Sequence, residues 1–424
     1  MKTKMLVTIL SILLSAGSVF AKTEPDSLQS LIKTAIEVNP KIKMLQSKFD
    51  VAGSKIKIGT NLPDPVLTLG LLNIPINTFS FTQEPMTGKA VGLSQAIPFP
   101  GSLKAAANAK AVDTLIVRQE IADLRNQIKK QVSVLYFDLQ EQRREIILAE
   151  ESVNLLKQIS NVVKRKFEVG TASLQNIVQV EVQITRVRDK IESLKGREKS
   201  MLAQLNAFLL RNDTIPINTT RILPIKSRNI KTDSLLKLAE MNRPLLKGIK
   251  LYENKAFLQQ KAARYTFYPN FKVGVQYSQR SYNRNTGMNY PDFTGIQVGI
   301  TIPINYGGNK TAKIDEFRYL QDFYNNRFTT SLQILQQSFG NINAKLSELE
   351  SREILMTKTL LPQAKQAYKA AIADYQVNKI DFANVIIAED NILKIRTELA
   401  KIRTEYYKYI AQLEFLSGVN INQN

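Results

Sequence analysis

Between Ile128 and Phe167, twelve positions fall alternately four and three residues apart, and ten of them are apolar. They are Ile128, Val132, Leu135, Leu139, Gln142, Ile146, Ala149, Val153, Leu156, Ser160, Val163 and Phe167. A heptad seam held this long requires a long helix with a continuous helical partner. The partner follows the break at Gly170. Its seam runs Ile177, Val180, Ile184, Val187, Ile191, Leu194, Glu198, Met201, Leu205, Phe208. Two such helices joined by so short a break lie antiparallel.

The same unit is written twice. Adding 208 to the second seam gives Val385, Ala388, Ile392, Ile395, Leu399, Ile402, Tyr406, Tyr409, Leu413 and Leu416. The long seam is matched by Leu332, Leu335, Phe339, Ile342, Leu346, Leu349, Met356, Leu360, Ala367, Ala370 and Val377. Asn39-Pro40 returns as Asn242-Arg243-Pro244, Pro65-Val-Leu-Thr-Leu-Gly70 as Pro269-Asn-Phe-Lys-Val-Gly274, and Phe167-Glu-Val-Gly170 as Tyr375-Gln-Val-Asn378. This predicts tandem repeats at 22–215 and 220–424, joined around Asn212–Ser227 with its Pro216 and Pro224. The hairpin tips fall at Gly170–Ser173 and Asn378–Asp381.

Lengths define the rest. A helix over about 102–167 measures about 100 Å at ~1.5 Å per residue, and the second repeat offers 309–376. The return helices are expected at 173–210 and 380–417, with shorter helices at 39–60 and 233–264. Between the short and long helices each repeat carries two alternating stretches, 66–74 with 89–98 and 270–280 with 295–305. Each has the length of a tilted membrane strand. Leu67, Leu69 and Leu71 fall opposite Val66, Thr68 and Gly70, and Val273, Val275 and Tyr277 opposite Gly274, Gln276 and Ser278. Four strands cannot close a barrel in lipid, so several chains must pool them. Three chains supply twelve, the simplest closed solution.

Residues 1–21 read as a signal peptide: Lys2 and Lys4, an apolar run Met5–Leu14, then small residues at Val19 and Ala21. Position 22 is Lys rather than Cys, which excludes a lipid anchor on the new terminus. With no His and no Cys in 424 residues, thiol and imidazole catalysis, Cys/His zinc sites and disulfides are excluded. Removing Lys2 and Lys4 leaves 56 Lys and Arg against 37 Asp and Glu. The basic residues look dispersed along solvated helix faces; an anionic membrane surface or an anion-tolerant pore lining is the next reading. Glu150-Glu151 and Glu389-Asp390 read as solvated or salt-bridged helix faces. Gly307-Gly308-Asn309-Lys310 lacks Walker spacing and reads as a turn.

With its Asn-Pro helix starts, paired strands and Phe-x-Val-Gly tip, the chain resembles the TolC family of outer-membrane channels over nearly its whole mature length. Pro63-Asp-Pro65, Pro85-Met-Thr-Gly88 and Leu93-Ser-Gln-Ala-Ile-Pro-Phe-Pro-Gly101 are similar to the heavy-metal (CzcC/CusC-like) branch. The resemblance implies a mainly α fold with membrane β: a tandem-repeat protomer of long antiparallel coiled-coil helices and four transmembrane strands. It would trimerise into a 12-stranded β-barrel and an α-helical periplasmic tunnel in the outer membrane of a Gram-negative bacterium. It implies a passive exit duct, with no enzyme activity and no cofactor, serving a periplasmic adaptor (membrane fusion) protein and an RND-type inner-membrane pump. Metal cations are the cargo of that branch; a drug-efflux or type I secretion duct, and a structural coiled-coil surface protein, are the alternatives. The resemblance also places a periplasmic aperture at Gly170, Thr171, Asn176, Gln179, Lys379, Asp381, Asn384 and Ile387. Asn176 and Asn384 stand where the family often has Asp, Ile387 where a further Asp can sit, and Ile380 where Arg can occur.

Overall fold

The computed structural model describes residues 26–227 and 231–421; the signal-peptide reading of 1–21 lies outside them. In chain order the elements are α1 (Leu28–Val38), α2 (Pro40–Thr60), β1 (Val66–Leu72), β2 (Gly88–Ile97), α3 (Ser102–Glu168), α4 (Leu174–Phe208), α5 (Thr232–Asn242), α6 (Pro244–Arg264), β3 (Asn270–Arg280), β4 (Phe293–Thr301), α7 (Asn309–Leu355), α8 (Leu361–Gln376) and α9 (Phe382–Ser417). A π-turn, Met356–Leu360, separates α7 from α8. Among the described residues no helix is long and apolar enough to cross a membrane.

Two compact units divide the chain. One comprises residues 1–39, 128–227 and 346–411; the other comprises 40–127, 228–345 and 412–424.

The first unit holds the coiled coils. Ten of the twelve seam positions in α3 are buried; Leu135 is half-buried and Phe167 is exposed at the tip. The polar members of the seams are not gaps in it. Gln142 Nε2 donates to Leu194 O at 3.0 Å, Ser160 Oγ donates to Glu181 Oε1 at 3.0 Å, and Arg143 Nε donates to Glu198 Oε1 at 2.7 Å. Each buried polar group thus keeps a partner, which is the condition for tolerating it there. The same core joins both hairpins, because Val153, Leu156, Val163, Val180 and Ile184 pack with Tyr375, Phe382 and Val385.

The second long helix departs from expectation. The stretch 309–376 is not continuous, because Pro362 has no N–H to bond the carbonyl four residues back, and the turn before it widens to π geometry. A π-turn inserts one residue, so the buried face slips by one. Ala367 and Ala370, expected in the seam, are exposed, as is Val377. Tyr368, Ala371, Ile372 and Tyr375 face the core in their place. The helix expected at 233–264 is likewise broken. Arg243 adopts φ −69°, ψ 119°, the extended backbone that a following proline favours, and Asn39 before Pro40 does the same at φ −63°, ψ 120°.

The second unit holds an antiparallel sheet in the order β1-β2-β3-β4. Its strands differ by a few residues from those expected, since β1 stops at Leu72 and β4 begins at Phe293 and stops at Thr301. The register aligns Leu67 with Leu93, Leu93 with Val275 and Val275 with Ile296; one step along it aligns Leu69, Val91, Tyr277 and Thr294. One face therefore carries Leu67, Leu69, Leu71, Val91, Leu93, Val273, Val275, Ile296, Val298 and Ile300, all exposed, with Ile296 at 76%. All six strand glycines, at 70, 88, 92, 274, 295 and 299, fall on the opposite face beside Ser94, Gln276, Ser278 and Gln297. On that face a Cβ at Gly274 would lie 3.2 Å from Ser94 Cβ, while one at Gly295 would meet nothing within 4 Å.

Candidate functional site

Both tips use one backbone device. At the end of α3, Gly170 takes φ +73°, its N–H bonds Phe167 O at 2.9 Å, and Thr171 N–H bonds Lys166 O at 2.8 Å. At the end of α8, Asn378 takes φ +62°, its N–H bonds Tyr375 O at 3.1 Å, and Lys379 N–H bonds Asp374 O at 2.9 Å. These are paired Schellman motifs, with Gly in one repeat and Asn, the residue that best tolerates the left-handed region after Gly, in the other. Ser173 and Asp381 then open the return helices, accepting the N–H groups of Asn176 and Asn384 on their carbonyls, each at 3.1 Å.

The two tips are tied together by Lys166. Its ammonium donates to Tyr375 O at 2.9 Å, Gln376 O at 2.9 Å and Asn378 Oδ1 at 2.7 Å. It also lies 4.9 Å from the Tyr375 ring centre. Tyr375 O, which also accepts from Asn378 N–H, and Gln376 O lie at the negative end of α8, so a lysine from the neighbouring hairpin caps that helix. Tyr375 itself is buried and packs on Phe382, with ring centres 5.2 Å apart. Burial pushes its phenol up, and among the described residues its hydroxyl has no hydrogen-bond partner.

The eight residues expected at the aperture all belong to this unit. Asn176 and Gln179 are half-buried on the first turns of α4. Gly170, Thr171, Lys379, Asp381, Asn384 and Ile387 are exposed. Ser173 Oγ donates to Asn176 Oδ1 at 3.3 Å. Lys166 and Tyr375, the pair that joins the hairpins, escaped the sequence reading. Both lie off the expected seams, and the π-turn that brings Tyr375 inward has no heptad signal.

A second polar node lies deeper in the same core. Glu389, expected on a solvated face, is 2% exposed on α9. Ser152 Oγ of α3 donates to its Oε1 at 2.5 Å, while its Oε2 and the Tyr368 hydroxyl are buried without a hydrogen-bond partner. Burial, and after it Asp390, push the Glu389 carboxyl up, with the Ser152 bond opposing; Tyr368, desolvated and near that carboxylate, is pushed up to about 12. Among the described residues no group of three Asp and Glu converges to hold a metal ion. In the other unit, a cleft of about 440 Å³ is lined by Glu120, Asp123, Tyr252, Tyr324 and Arg327. Lys48 already pairs with Glu120 at 2.6 Å.

Known proteins share this fold. The chain is similar to VceC of Vibrio cholerae, an outer membrane protein, with TM-score 0.75 and 14% identity over 93% of this chain and 96% of that one. It is similar to CusC, whose structures concern transmembrane channel formation, with TM-score 0.74 and 18% identity over 93% and 92%. In sequence it is 23% identical over 205 residues to "Toxin and drug export protein A" of Aggregatibacter actinomycetemcomitans, covering 47% of this chain and 44% of that protein. The chain spans about half the length of the curated relatives it matches. The family model described as "Outer membrane efflux protein" matches residues 31–209 and 235–419. With most of its length so matched, the chain belongs to the outer membrane efflux protein family.

Proposed function

We propose that this chain is the outer-membrane exit duct of a tripartite efflux assembly, a passive channel without enzymatic activity. The observation that carries the reading is the four-stranded sheet. Its exposed apolar face suits lipid, its face of glycine and small polar residues suits a concave lumen, and among the described residues β1 and β4 each have one strand partner. Open edges are forbidden in lipid, so copies of the chain pair β4 with β1 until a barrel closes. Three copies close a 12-stranded barrel, and the coiled-coil hairpins form a periplasmic tunnel. The tandem repeats at 22–215 and 220–424 supply equivalent hairpins to that wall. The tips at Gly170–Ser173 and Asn378–Asp381 form its aperture and meet an adaptor, and an inner-membrane pump supplies the energy. Detergent-extracted protein is expected to have the mass of a trimer and to conduct ions in planar bilayers. A stable monomer that needs no detergent would sink the reading.

For cargo, we propose metal cations delivered by an RND-type pump, on the strength of the run Leu93–Gly101 and its neighbours at 63–65 and 85–88. Deleting the gene and scoring sensitivity to copper, zinc and cobalt against drugs tests this. Drug sensitivity alone would replace metal with drug as the cargo.

A further inference from the structure

The excess positive charge is not dispersed. The unit that holds the sheet has 27 Lys and Arg against 14 Asp and Glu. Within it, the four segments where strands meet helices, 55–65, 98–110, 261–272 and 302–313, hold nine Lys and Arg and one acid, Asp64. The loops at the other end of the sheet, 73–87 and 281–292, hold one Arg and two acids. The basic residues of the junction include Lys57, Lys104, Lys261, Arg264 and Lys310; among the described residues none of these five has an ion-pair partner, and all but half-buried Lys310 are exposed. The first turns of α3 and α7 contain no acid, and the last turn of α6 contains Lys261 and Arg264.

Aromatic side chains mark which side of the wall this collar serves. β4 ends at Thr301, and beyond it the exposed Ile302 and Ile304 lead to Tyr306, which opens a short 3-10 turn and is 83% exposed. Counting along β2, the apolar face continues from Ile97 to Phe99, which stacks on Tyr268 at 4.6 Å and touches Tyr265 at 6.2 Å. Lys310 Nζ lies 5.8 Å from the Phe267 ring centre, beside that cluster. Aromatic rings at the end of a lipid-facing stripe belong at the headgroup level of a bilayer.

From this juxtaposition we infer that the junction of sheet and helices is a binding collar for anionic phospholipid of the periplasm-side leaflet, its phosphates held by Lys57, Lys261, Arg264 and Lys310. The inference rests on the outer-membrane channel reading. Its energetic basis is ordinary: each Lys or Arg close to an anionic bilayer surface strengthens attachment by roughly fivefold, within a Debye length of about 8–10 Å. A collar of this kind fixes the height of the barrel in the membrane.

The test uses full-length protein extracted in detergent and offered phosphatidylglycerol or phosphatidylcholine, with retained lipid counted by native mass spectrometry. Wild type is expected to retain phosphatidylglycerol over phosphatidylcholine by about tenfold or more, and excess inorganic phosphate should not displace it. The combined variant Lys57→Gln, Lys261→Gln, Arg264→Gln, Lys310→Gln should lose that preference. Lys57→Arg, Lys261→Arg, Lys310→Arg should keep it, and so should Lys272→Gln, because Lys272 lies on the glycine face. If the fourfold variant yields no protein, Arg264→Gln with Lys310→Gln should still lower the preference severalfold. Equal retention of both lipids by wild type, full retention by the Gln variants, or displacement by free phosphate would each overturn the collar. So would a change of ion selectivity in the Gln variants with lipid retention unchanged, which would place these charges in the lumen. Pore formation in planar bilayers is scored separately, so that a conducting trimer without lipid preference defeats only this inference.

Discussion

Replacing Lys166 with Met tests whether the hairpins are held together at their tips. The wild-type ammonium makes three hydrogen bonds, two to terminal carbonyls of α8 and one to Asn378. Bonds from a charged donor contribute about 1.5–3 kcal/mol each when well shielded. Lys166 is only half-buried, and holding a lysine side chain in one geometry costs up to ~2 kcal/mol of rotamer freedom. A net loss of about 2 kcal/mol per chain follows, which is roughly 30-fold in the local opening equilibrium. Methionine keeps a flexible stem of similar size and removes the ammonium, so the change isolates the charge. In planar bilayers Lys166→Met should raise the open fraction of single channels, and amides of Asn378 and Lys379 should exchange hydrogen faster. Lys164→Met is the control, because Lys164 pairs with Glu181 at 3.4 Å on an exposed surface where such pairs contribute about 0–1 kcal/mol. Unchanged conductance and unchanged exchange in Lys166→Met, or an equal effect in Lys164→Met, would refute the tie.

Three further outcomes are expected. Val187→Asp places an unpaired charge at a site 5% exposed and should cost about 3 kcal/mol or more, whereas Ile395→Asp, at a half-buried site, should cost less; trimer yield after extraction should rank accordingly, and equal yields would show that the seams differ from those described. Glu389 holds its proton more tightly folded than unfolded, so its contribution is complete below the ordinary carboxylate range and is lost as pH rises through its raised value; Glu389→Gln should therefore raise the melting temperature near pH 8 and have little effect near pH 4, and a gain that grows towards acid would contradict this. Changing Asn176 and Asn384 together to Asp would bring up to six carboxylates near the proposed aperture, at about 1 kcal/mol per like-charge pair; millimolar Mg²⁺ should then block conductance in the variant and not in wild type, and identical sensitivity would remove these residues from the constriction.

What the sequence determined by itself was the long seam of α3 and the place where each hairpin turns. A period of 3.5 residues specifies the seam of α3, and a repeat of 208 leads one to expect a second. Paired Phe-Glu-Val-Gly170 and Tyr-Gln-Val-Asn378 motifs specify where each hairpin turns, and the two Schellman ends lie there. Alternation in the strands was legible only in part, because Gly, Ser and Gln on one face are weak signals until register aligns them with their neighbours. Phase after Pro362 was not legible. A proline announces a disturbed turn, but whether the helix kinks, stops or admits a π-turn depends on what packs beside it. Here the added residue rotates Tyr368 and Tyr375 inward and Ala367 and Ala370 outward. The tie between the tips was equally hidden. Lys166 and the carbonyls it caps are more than two hundred residues apart, and Glu389 looks like any surface acid on a Lys-rich helix until α3 covers it. Tertiary structure alone decides which groups lose their water, because burial is a property of the neighbours and not of the residue.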